Sequence, residues 1–279
     1  MQITATSLQS VPLTAAPADL RTHRGPAWVL ADPMPLALVT VWRNALHPTL
    51  LHFDFGLTAA GTTYAPAALA DALISTVVTH AKATSFRGVI LSTDRPLTPL
   101  LAALLSRGLR RVRTTFMPTL MLAAGTLPEA ALPAGMQLVS AATIRQTPAL
   151  QAQLLTQTFA AYTAAHQVNP AAATAPSNWP SLMLRDLVPD VPVALVHAQT
   201  LMAYCLVYTN DATSVDFGYA WGQDAAALAH LAPQTLSALA GSYQRLNGEF
   251  DDTDPFAMQI ARYFPPVEGP ELAAYTLVF

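Results

Sequence analysis

The same order of predicted secondary-structure elements occurs twice along this chain, and that repeat constrains its fold more than any other feature. Each half contains three strands, a long helix, a strand, a short helix and a last strand. In the C-terminal half, a strand at Met136–Ala141 and a helix at Pro148–His166 precede this order. Self-similarity along a chain is the signature of a repeated architecture. We therefore predict an α/β chain with mixed sheets, built from two copies of one unit.

The bounds of the predicted elements come from apolar runs, helical spacing and turn residues. In the N-terminal half, the strands are Trp28–Ala31, Leu36–Trp42, Leu50–Leu57, Gly88–Ser92 and Arg111–Leu122, and the helices are Ala65–Ala81 and Leu97–Arg107. In the C-terminal half, the remaining strands are Val191–Ala198, Thr200–Tyr208, Ser214–Trp221, Glu249–Asp252 and Leu272–Phe279, and the helices are Leu182–Val188, Ala225–Leu246 and Pro255–Phe264. Asp224 is the predicted N-cap of the long helix, because a carboxylate accepts from N–H groups of the first turn.

Short identical sequence segments support the repeat, because they occur in the same order in both halves and the difference between their residue numbers changes only slowly. The matching segments are Asp54-Phe55-Gly56 with Asp216-Phe217-Gly218, Thr93-Asp94 with Thr253-Asp254, and Thr119-Leu120 with Thr276-Leu277, which differ by 162, 160 and 157 positions. The segment Ala123–Gly135 contains Pro and Gly residues and is the predicted linker. We accordingly place the N-terminal unit at residues 1–125 and the C-terminal unit at residues 135–279.

The composition limits the partners that this chain can have. Apolar residues make up 52% of the chain and charged residues 11%, which indicates a large core or an apolar surface covered by the other half or by self-association. The net charge is −3 and Lys82 is the single lysine, so we expect no nucleic-acid partner. Charged residues or prolines interrupt every long apolar stretch, so we expect no membrane partner. The lone Cys205 and the absence of a secretory signal indicate the cytoplasm.

The C-terminal order of elements resembles the GCN5-related N-acetyltransferase (GNAT) superfamily, and the N-terminal half resembles the same plan from Trp28 onward. In that family an Asn or Asp after the long helix and its strand precedes a helix-starting Ala by three residues, as Asp254 precedes Ala257. The segment Met1–Gly25 is too short for the family's first strand and two helices. The chain therefore looks like a tandem GNAT protein with a truncated first unit, which implies acetyl-CoA or another acyl-CoA as cofactor.

The resemblance places the acyl-CoA pantetheine on the strand before each long helix and the diphosphate at the start of that helix. In the second unit this implies binding by Tyr219, Ala220, Trp221 and Gly222, where one glycine and no arginine replace the family's Gly-rich motif. Asp224 follows, and its negative charge would repel a diphosphate. In the first unit the resemblance implies Gly61 and Thr62, with Thr63, as donors to an anion.

The family's usual catalytic tyrosine is missing, because the position four residues after Ala257 is Ala261 and the matching N-terminal position is Leu104. The resemblance implies Asp54 and Asp216 as candidate general bases, and a turn-flanking or edge role is the alternative for both. An aromatic set could line a pocket or pack in the core: Phe159, Tyr162, Trp179 and Trp221. The histidines form no ligand pair at helical spacing, so no metal site is predicted.

Two functions remain open from the sequence. The first is an acyl-CoA-dependent N-acyltransferase that transfers an acetyl or other acyl group to a small-molecule amine of unknown identity. The second is a non-catalytic GNAT-fold protein that binds a ligand or a partner, since a fold alone does not determine function.

Overall fold

Two units make up the chain, and each gathers segments that are distant in sequence. The computed structural model describes residues 3–7, 25–94, 98–123, 131–265 and 271–279. The first unit comprises residues 1–114, 168–172 and 272–279, and the second comprises residues 115–167 and 173–271. The mixed α/β class and the tandem arrangement are confirmed. The units predicted from sequence, residues 1–125 and 135–279, are each one continuous segment, whereas the observed units exchange segments.

The first unit is built on an open sheet. Its strands are β1 (Thr4–Ser7), β2 (Ala27–Ala31), β3 (Pro35–Trp42), β4 (Leu51–Leu57), β5 (Gly88–Thr93), the start of β6 (Arg110–Phe116) and, from the end of the chain, β14 (Glu271–Val278). Its helices are α1 (Ala59–Thr63), α2 (Pro66–Ala83) and α3 (Pro99–Ser106). The strands lie in the order β1-β2-β3-β4-β5-β14-β6, and β4 is parallel to β5.

Helix α2 covers one face of this sheet because its apolar side chains recur every fourth residue. Leu69, Leu73, Val77 and Ala81 are each at most 1% exposed and pack in one cluster with Phe53 of β4. Such spacing places all four side chains on one side of a helix. Burial of large side chains contributes roughly 1.5–3 kcal/mol each, so this stripe fixes the helix on the sheet.

The second unit has its own six-stranded sheet with helices. Its strands are β7 (Thr119–Met121), β8 (Met136–Ser140), β9 (Pro192–His197), β10 (Thr200–Thr209), β11 (Ser214–Gly222), β12 (Arg245–Asn247) and β13 (Phe250–Asp251). Its helices are α4 (Ala141–Gln146), α5 (Pro148–Ala165), α6 (Trp179–Leu184), α7 (Ala225–Ala240) and α8 (Pro255–Ala261). The order is β7-β12-β11-β10-β9-β8, with β11 parallel to β12, while β13 pairs with the last two residues of β6.

The last strand of each half of the sequence completes the sheet of the other half. Strand β14 is antiparallel to β5, with Tyr275 opposite Leu91. Strand β7 is antiparallel to β12, with Leu120 opposite Leu246. Strands β7 and β14 therefore hold corresponding places, each beside the strand that follows the long helix of a unit, and the residue-level match of Thr119 with Thr276 stays a prediction.

The strand that follows the long helix of the second unit differs from the prediction. Helix α7 ends at Ala240, before the predicted end at Leu246, and Arg245–Asn247 form β12 beside β11. Since β5 is the matching strand of the first unit, the predicted match of Thr93 with Thr253 is wrong. Asp54 and Asp216 both lie where their parallel strand pair ends, since Asp216 belongs to the last β11–β12 pair and Asp54 follows Phe53, the last residue of β4 paired with β5. Their residue-by-residue match stays a prediction.

Two predictions lie partly outside the described residues. The truncation of the first unit concerns Met1–Gly25, of which the structure describes residues 3–7 and 25, including β1. The predicted linker Ala123–Gly135 contains residues 124–130, which are also outside the described ranges.

Candidate functional site

Strands β11 and β12 run side by side for three residues and then part. The parallel pairs join Ser214 with Arg245, Val215 with Leu246 and Asp216 with Asn247. Within the described residues, positions 217–222 of β11 have no strand partner on that side. An unpaired strand edge presents N–H and C=O groups to which an extended ligand can hydrogen-bond. Of the predicted cofactor-binding residues, Tyr219, Ala220, Trp221 and Gly222 all lie on this half of β11, which we call the open half.

A β-bulge lies at the start of the open half. Leu206 of β10 pairs with Tyr219 and Val207 pairs with Phe217, so Gly218 stands outside the ladder. A Cβ atom at Gly218 would overlap the ring of Tyr208, which makes glycine the residue that fits here. Bulges redirect the backbone locally and are common beside functional sites.

The open half ends at the start of α7, where Asp224 is the N-cap. The Asp224 carboxylate accepts a hydrogen bond from the N–H of Ala227 at 2.8 Å, as the sequence predicted. Gly222 is required just before this turn, because a Cβ atom there would lie 2.5 Å from the carbonyl oxygen of Asp224. An anion that approached this helix end would meet an exposed carboxylate.

In the first unit, strands β4 and β5 separate in the corresponding way, but β4 has no β-bulge at that point. Strand β4 pairs with β5 from Leu51 to Phe53, whereas its ladder with β3 continues without interruption from His52 to Leu57. The N–H of Phe55 donates to Oδ1 of Asp54 at 2.7 Å. The Asp54 side chain therefore occupies a backbone donor on the part of β4 that a ligand would use.

The anion donors that the sequence indicated in α1 are engaged inside their own turn. The N–H of Gly61 donates to Oγ1 of Thr58 at 3.1 Å, and the N–H of Thr62 donates to the carbonyl of Thr58 at 3.0 Å. The Thr62 hydroxyl donates to the carbonyl of Ala59 at 2.8 Å. The cofactor role of Gly61 and Thr62 stays a prediction, and it would require these bonds to be replaced.

Asp216 lies at the last parallel pair before β11 and β12 part. Its Oδ1 accepts from the side-chain amides of Asn247 at 2.8 Å and Asn210 at 3.2 Å. These contacts match the structural alternative, in which the carboxylate fixes a turn and a strand end. The general-base role of Asp216, like that of Asp54, stays a prediction.

A polar cluster that the sequence did not reveal lies in the second unit. Nδ1 of His166 is hydrogen-bonded to the carbonyl oxygen of Tyr162 at 2.7 Å, and its Nε2 lies 3.7 Å from Oδ2 of Asp251. The Thr115 hydroxyl donates to Oδ1 of Asp251. These residues come from three distant segments, and no local spacing could have indicated them.

Aromatic rings connect this cluster to the open half of β11. The Tyr162 ring stacks on His166 with centroids 4.1 Å apart and contacts Tyr219 at 6.2 Å and Trp179 at 5.5 Å. Burial raises the pKa of Tyr219, and the carboxylates of Glu249 and Asp251 raise it further. Of the aromatic set predicted from sequence, Trp221 lies elsewhere, against Tyr204 and Phe256.

An apolar cavity of about 450 Å³ adjoins the aromatic rings. It lies between α5 and the segment that leads into α6, and Phe159 and Trp179 belong both to its wall and to the ring cluster. Trp179 is 2% exposed and its indole N–H donates to Thr158. Trp179 is therefore part of the core, and Phe159 and Trp179 both contribute to the wall of the cavity.

The start of α8 shows the spacing on which the family resemblance depends. The Asp254 carboxylate accepts from the N–H groups of Phe256 and Ala257, at 2.9 and 3.1 Å. Burial raises the pKa of Asp254, these two N–H groups lower it, and Asp251 adds a smaller increase. Four residues after Ala257 the helix ends at Ala261, so α8 supplies no tyrosine at that position.

The described part of the chain lacks three other features, namely a reactive thiol, a cluster of metal ligands and a membrane-spanning helix. Burial raises the pKa of Cys205 to about 12, which removes it as a nucleophile near neutral pH. The described ranges contain no group of three or more His, Cys, Asp or Glu side chains placed to hold a metal ion. None of the helices described there has the length and apolarity needed to cross a membrane.

Comparison with known proteins identifies the fold. No protein-family model matches the sequence, and curated protein sequences give no match either. The structure is similar to a GCN5-related N-acetyltransferase from Sphaerobacter thermophilus, at 12% identity and a TM-score of 0.59, over 91% of this chain and 80% of that one. It is also similar to a tandem GNAT protein from the clavulanic acid biosynthesis pathway, at 15% identity and a TM-score of 0.50, over 97% and 90% of the two chains. The chain therefore has the fold of the GCN5-related N-acetyltransferases, in the form of two tandem units.

Proposed function

We propose that the chain is an acyl-CoA-dependent N-acyltransferase and that its second unit carries out the reaction. The observation on which this depends is the open half of β11, where the backbone from Phe217 to Gly222 has no partner strand on the β12 side among the residues that the structure describes. The pantetheine arm of acyl-CoA contains two amide groups, which match such an edge as a further strand would. Gly218 stands outside the β10 ladder, and we propose that this bulge directs a backbone donor toward the carbonyl oxygen that gains charge during acyl transfer.

The second unit fits acyl-CoA only in part. The open half of β11 suits the pantetheine arm, and a bound acyl-CoA would supply a thioester carbonyl for attack by an amine. The start of α7 does not suit a diphosphate, because Asp224 both uses a first-turn N–H and carries a negative charge. We therefore propose weak acyl-CoA binding, with the diphosphate displaced from the helix start.

Hydrogen exchange of the full chain tests the proposal directly. Acetyl-CoA should slow amide exchange at residues 217–222, because the pantetheine arm would take up donors of the open half. The matched control is residues 54–57 of β4, where exchange should stay unchanged. The proposal fails if acetyl-CoA leaves the exchange of residues 217–222 unchanged at every concentration tested.

A second function is favoured for the first unit. There Asp54 uses the N–H of Phe55, Thr58 uses the N–H of Gly61, and the β3–β4 ladder has no bulge. We propose that this unit is non-catalytic and binds a ligand or a partner, or supports the second unit. Release of the CoA thiol in the presence of a set of primary amines measures catalysis by the whole chain. Binding of acetyl-CoA without thiol release would instead favour the non-catalytic alternative for both units.

A further inference from the structure

We propose that the hydroxyl groups of Tyr204 and Tyr219 form the acceptor-binding site of the second unit, and that the acceptor is an amine in its ammonium form. The inference rests on the proposed acyl transfer and deepens it, because it names the groups that would hold the second substrate. The backbone of Tyr219 stays assigned to the pantetheine arm. Strand β11 would therefore serve one substrate through its edge and the other through its face.

Both tyrosines lie on the same face of the second sheet. Leu206 of β10 is opposite Tyr219 of β11, and Tyr204 is opposite Trp221, with no irregularity between the two pairs. Directly opposite residues of an antiparallel pair share a face, and so do residues two apart on one strand. Tyr204 and Tyr219 are therefore diagonal neighbours, at a spacing of about 7–8 Å that aromatic side chains can span.

Neighbouring rings hold both tyrosine side chains in place. Trp221 stacks on Tyr204 with ring centroids 6.0 Å apart, and Tyr204 is 1% exposed. Tyr162 and Trp179 contact the ring of Tyr219, with centroid distances of 6.2 and 6.5 Å. The directions of the two hydroxyl groups are set by this packing, so a ligand binds without first ordering the side chains.

The hydroxyl groups of this pair indicate a ligand. Neither has a hydrogen-bond partner among the residues that the structure describes, and neither is one of the sealed polar atoms there. Tyr208 on the same face differs, because its hydroxyl donates to the carbonyl of Met183 at 3.3 Å. A buried tyrosine hydroxyl usually finds a partner. Two neighbouring phenols without one therefore fit a small polar molecule that supplies it.

The charges around the pair favour a cation. Burial raises the pKa of Tyr204, and the Asp254 carboxylate raises it further. Burial also raises the pKa of Tyr219, with further increases from Glu249 and Asp251. Both phenols therefore stay neutral near neutral pH and lie in the field of carboxylates. A neutral hydroxyl oxygen accepts hydrogen bonds from an ammonium group, and the carboxylates stabilise its charge, whereas they would repel an anion.

The position of the pair suits an acceptor for acyl transfer. Gly218, whose bulge we assign to the thioester carbonyl, directly precedes Tyr219 in β11. An ammonium group at the Tyr219 hydroxyl would lie on one face of the strand, beside the edge assigned to pantetheine. Because both phenols keep their protons, they would bind and orient the amine rather than deprotonate it. Holding two reactants close together in a fixed orientation is itself a large contribution to catalysis.

Carbon-13 NMR of the tyrosine side chains in the full chain tests the site without turnover. Propylammonium chloride should shift the Cζ signals of Tyr204 and Tyr219, because Cζ carries the hydroxyl group. Sodium propionate is the matched anion and should leave both signals unchanged at equal ionic strength. Followed at Tyr204, Tyr219→Phe should weaken propylammonium binding by about tenfold or more, the loss expected for one hydrogen bond to a charged group.

The control variant for this titration is Tyr243→Phe, which removes a hydroxyl group that follows α7 and lies outside the site. It should leave propylammonium binding unchanged. Equal shifts with propylammonium and propionate, no shift with propylammonium, or unchanged propylammonium affinity in Tyr219→Phe would each overturn the inference.

Kinetics of thiol release separate this inference from the proposed function. Tyr219→Phe should raise KM for a primary amine by about tenfold or more, with a smaller change in kcat and an unchanged Kd of acetyl-CoA. If acetyl-CoA leaves residues 217–222 unprotected from exchange, the proposed acyl transfer fails and the NMR titration alone decides on the amine site. If acetyl-CoA protects them and Tyr219→Phe keeps the wild-type KM, the amine-site inference alone fails.

Discussion

Removal of the Asp224 charge should strengthen acyl-CoA binding, and Asp224→Ser is the sharpest form of the experiment. The Asp224 carboxylate caps α7 through the N–H of Ala227, at 2.8 Å, and the residue is exposed. Serine also caps helices well, so Asp224→Ser removes the charge and keeps the cap. The substitution therefore separates electrostatic repulsion from helix stability.

The expected magnitude follows from the exposure of Asp224. Two unit charges about 4 Å apart repel by roughly 1 kcal/mol in water and by more where the dielectric constant is lower. A diphosphate brings two charges close to the helix start, so the total is about 2 kcal/mol for this exposed carboxylate. The Kd of acetyl-CoA should therefore fall by about 30-fold in Asp224→Ser.

Calorimetric titration of acetyl-CoA into the full chain measures this change. Asp224→Gly should also bind more tightly, because it frees the Ala227 N–H as well as removing the charge. Asp190→Ser removes another exposed carboxylate, outside the candidate site, and should leave the Kd unchanged. The gain in Asp224→Ser should shrink as salt is added. Tight wild-type binding that Asp224→Ser leaves unchanged or weakens would refute the placement of the diphosphate at α7.

Three further predictions concern stability. Gly222→Ala should lower the free energy of unfolding, measured in urea, by about 1–3 kcal/mol, because its Cβ would clash with backbone. Gly241→Ala is the control and should change this free energy little, since its Cβ would lie 3.6 Å from the nearest atom. Equal urea midpoints for the two variants would contradict this prediction. Deletion of Glu271–Phe279 removes β14 and should speed amide exchange at Val89–Leu91, and unchanged protection there would count against the exchanged strand. Burial lowers the pKa of His52 to about 4, with smaller effects from nearby cationic groups, so the unfolded chain takes up the proton first as pH falls below about 6.5. His52 should then contribute a decrease in the free energy of unfolding of up to roughly 3 kcal/mol between about pH 6.5 and pH 4. His52→Gln should reduce the pH dependence in urea titrations, and a smaller dependence should persist because burial also lowers the pKa of His47 and of His80. An identical pH dependence in the variant would show that His52 does not cause it.

The sequence was sufficient wherever the determining interaction is local. The N-cap at Asp224 involves an N–H three residues away, so its chemistry is visible in the sequence itself. The starts of α2 and α5 are marked by Pro66 and Pro148, which fit the first helical turn. The repeated order of strands and helices was equally visible, because apolar periodicity reports which side of each element is buried.

Local patterns were insufficient where a short element depends on its neighbours. Strand β12 has only three residues, and the apolar pattern across Arg245–Asn247 also fits the end of a helix. Its parallel pairing with β11 is what makes it a strand. The parting of β11 from β12 after Asp216 was equally hidden, because it depends on where the partner strand ends rather than on the residues of β11.

The sequence by itself determined that two similar α/β units would form, where their long helices begin and, for α7, which residue caps the helix. Only the tertiary structure decided that β14 joins β5 while β7 joins β12, and that His166 meets Asp251 and Thr115. The physical reason is the separation in sequence between the residues that interact. Caps and helical faces involve residues a few positions apart, whereas a sheet edge accepts any strand of suitable register, and a buried polar cluster forms from whichever distant segments the completed sheets bring together.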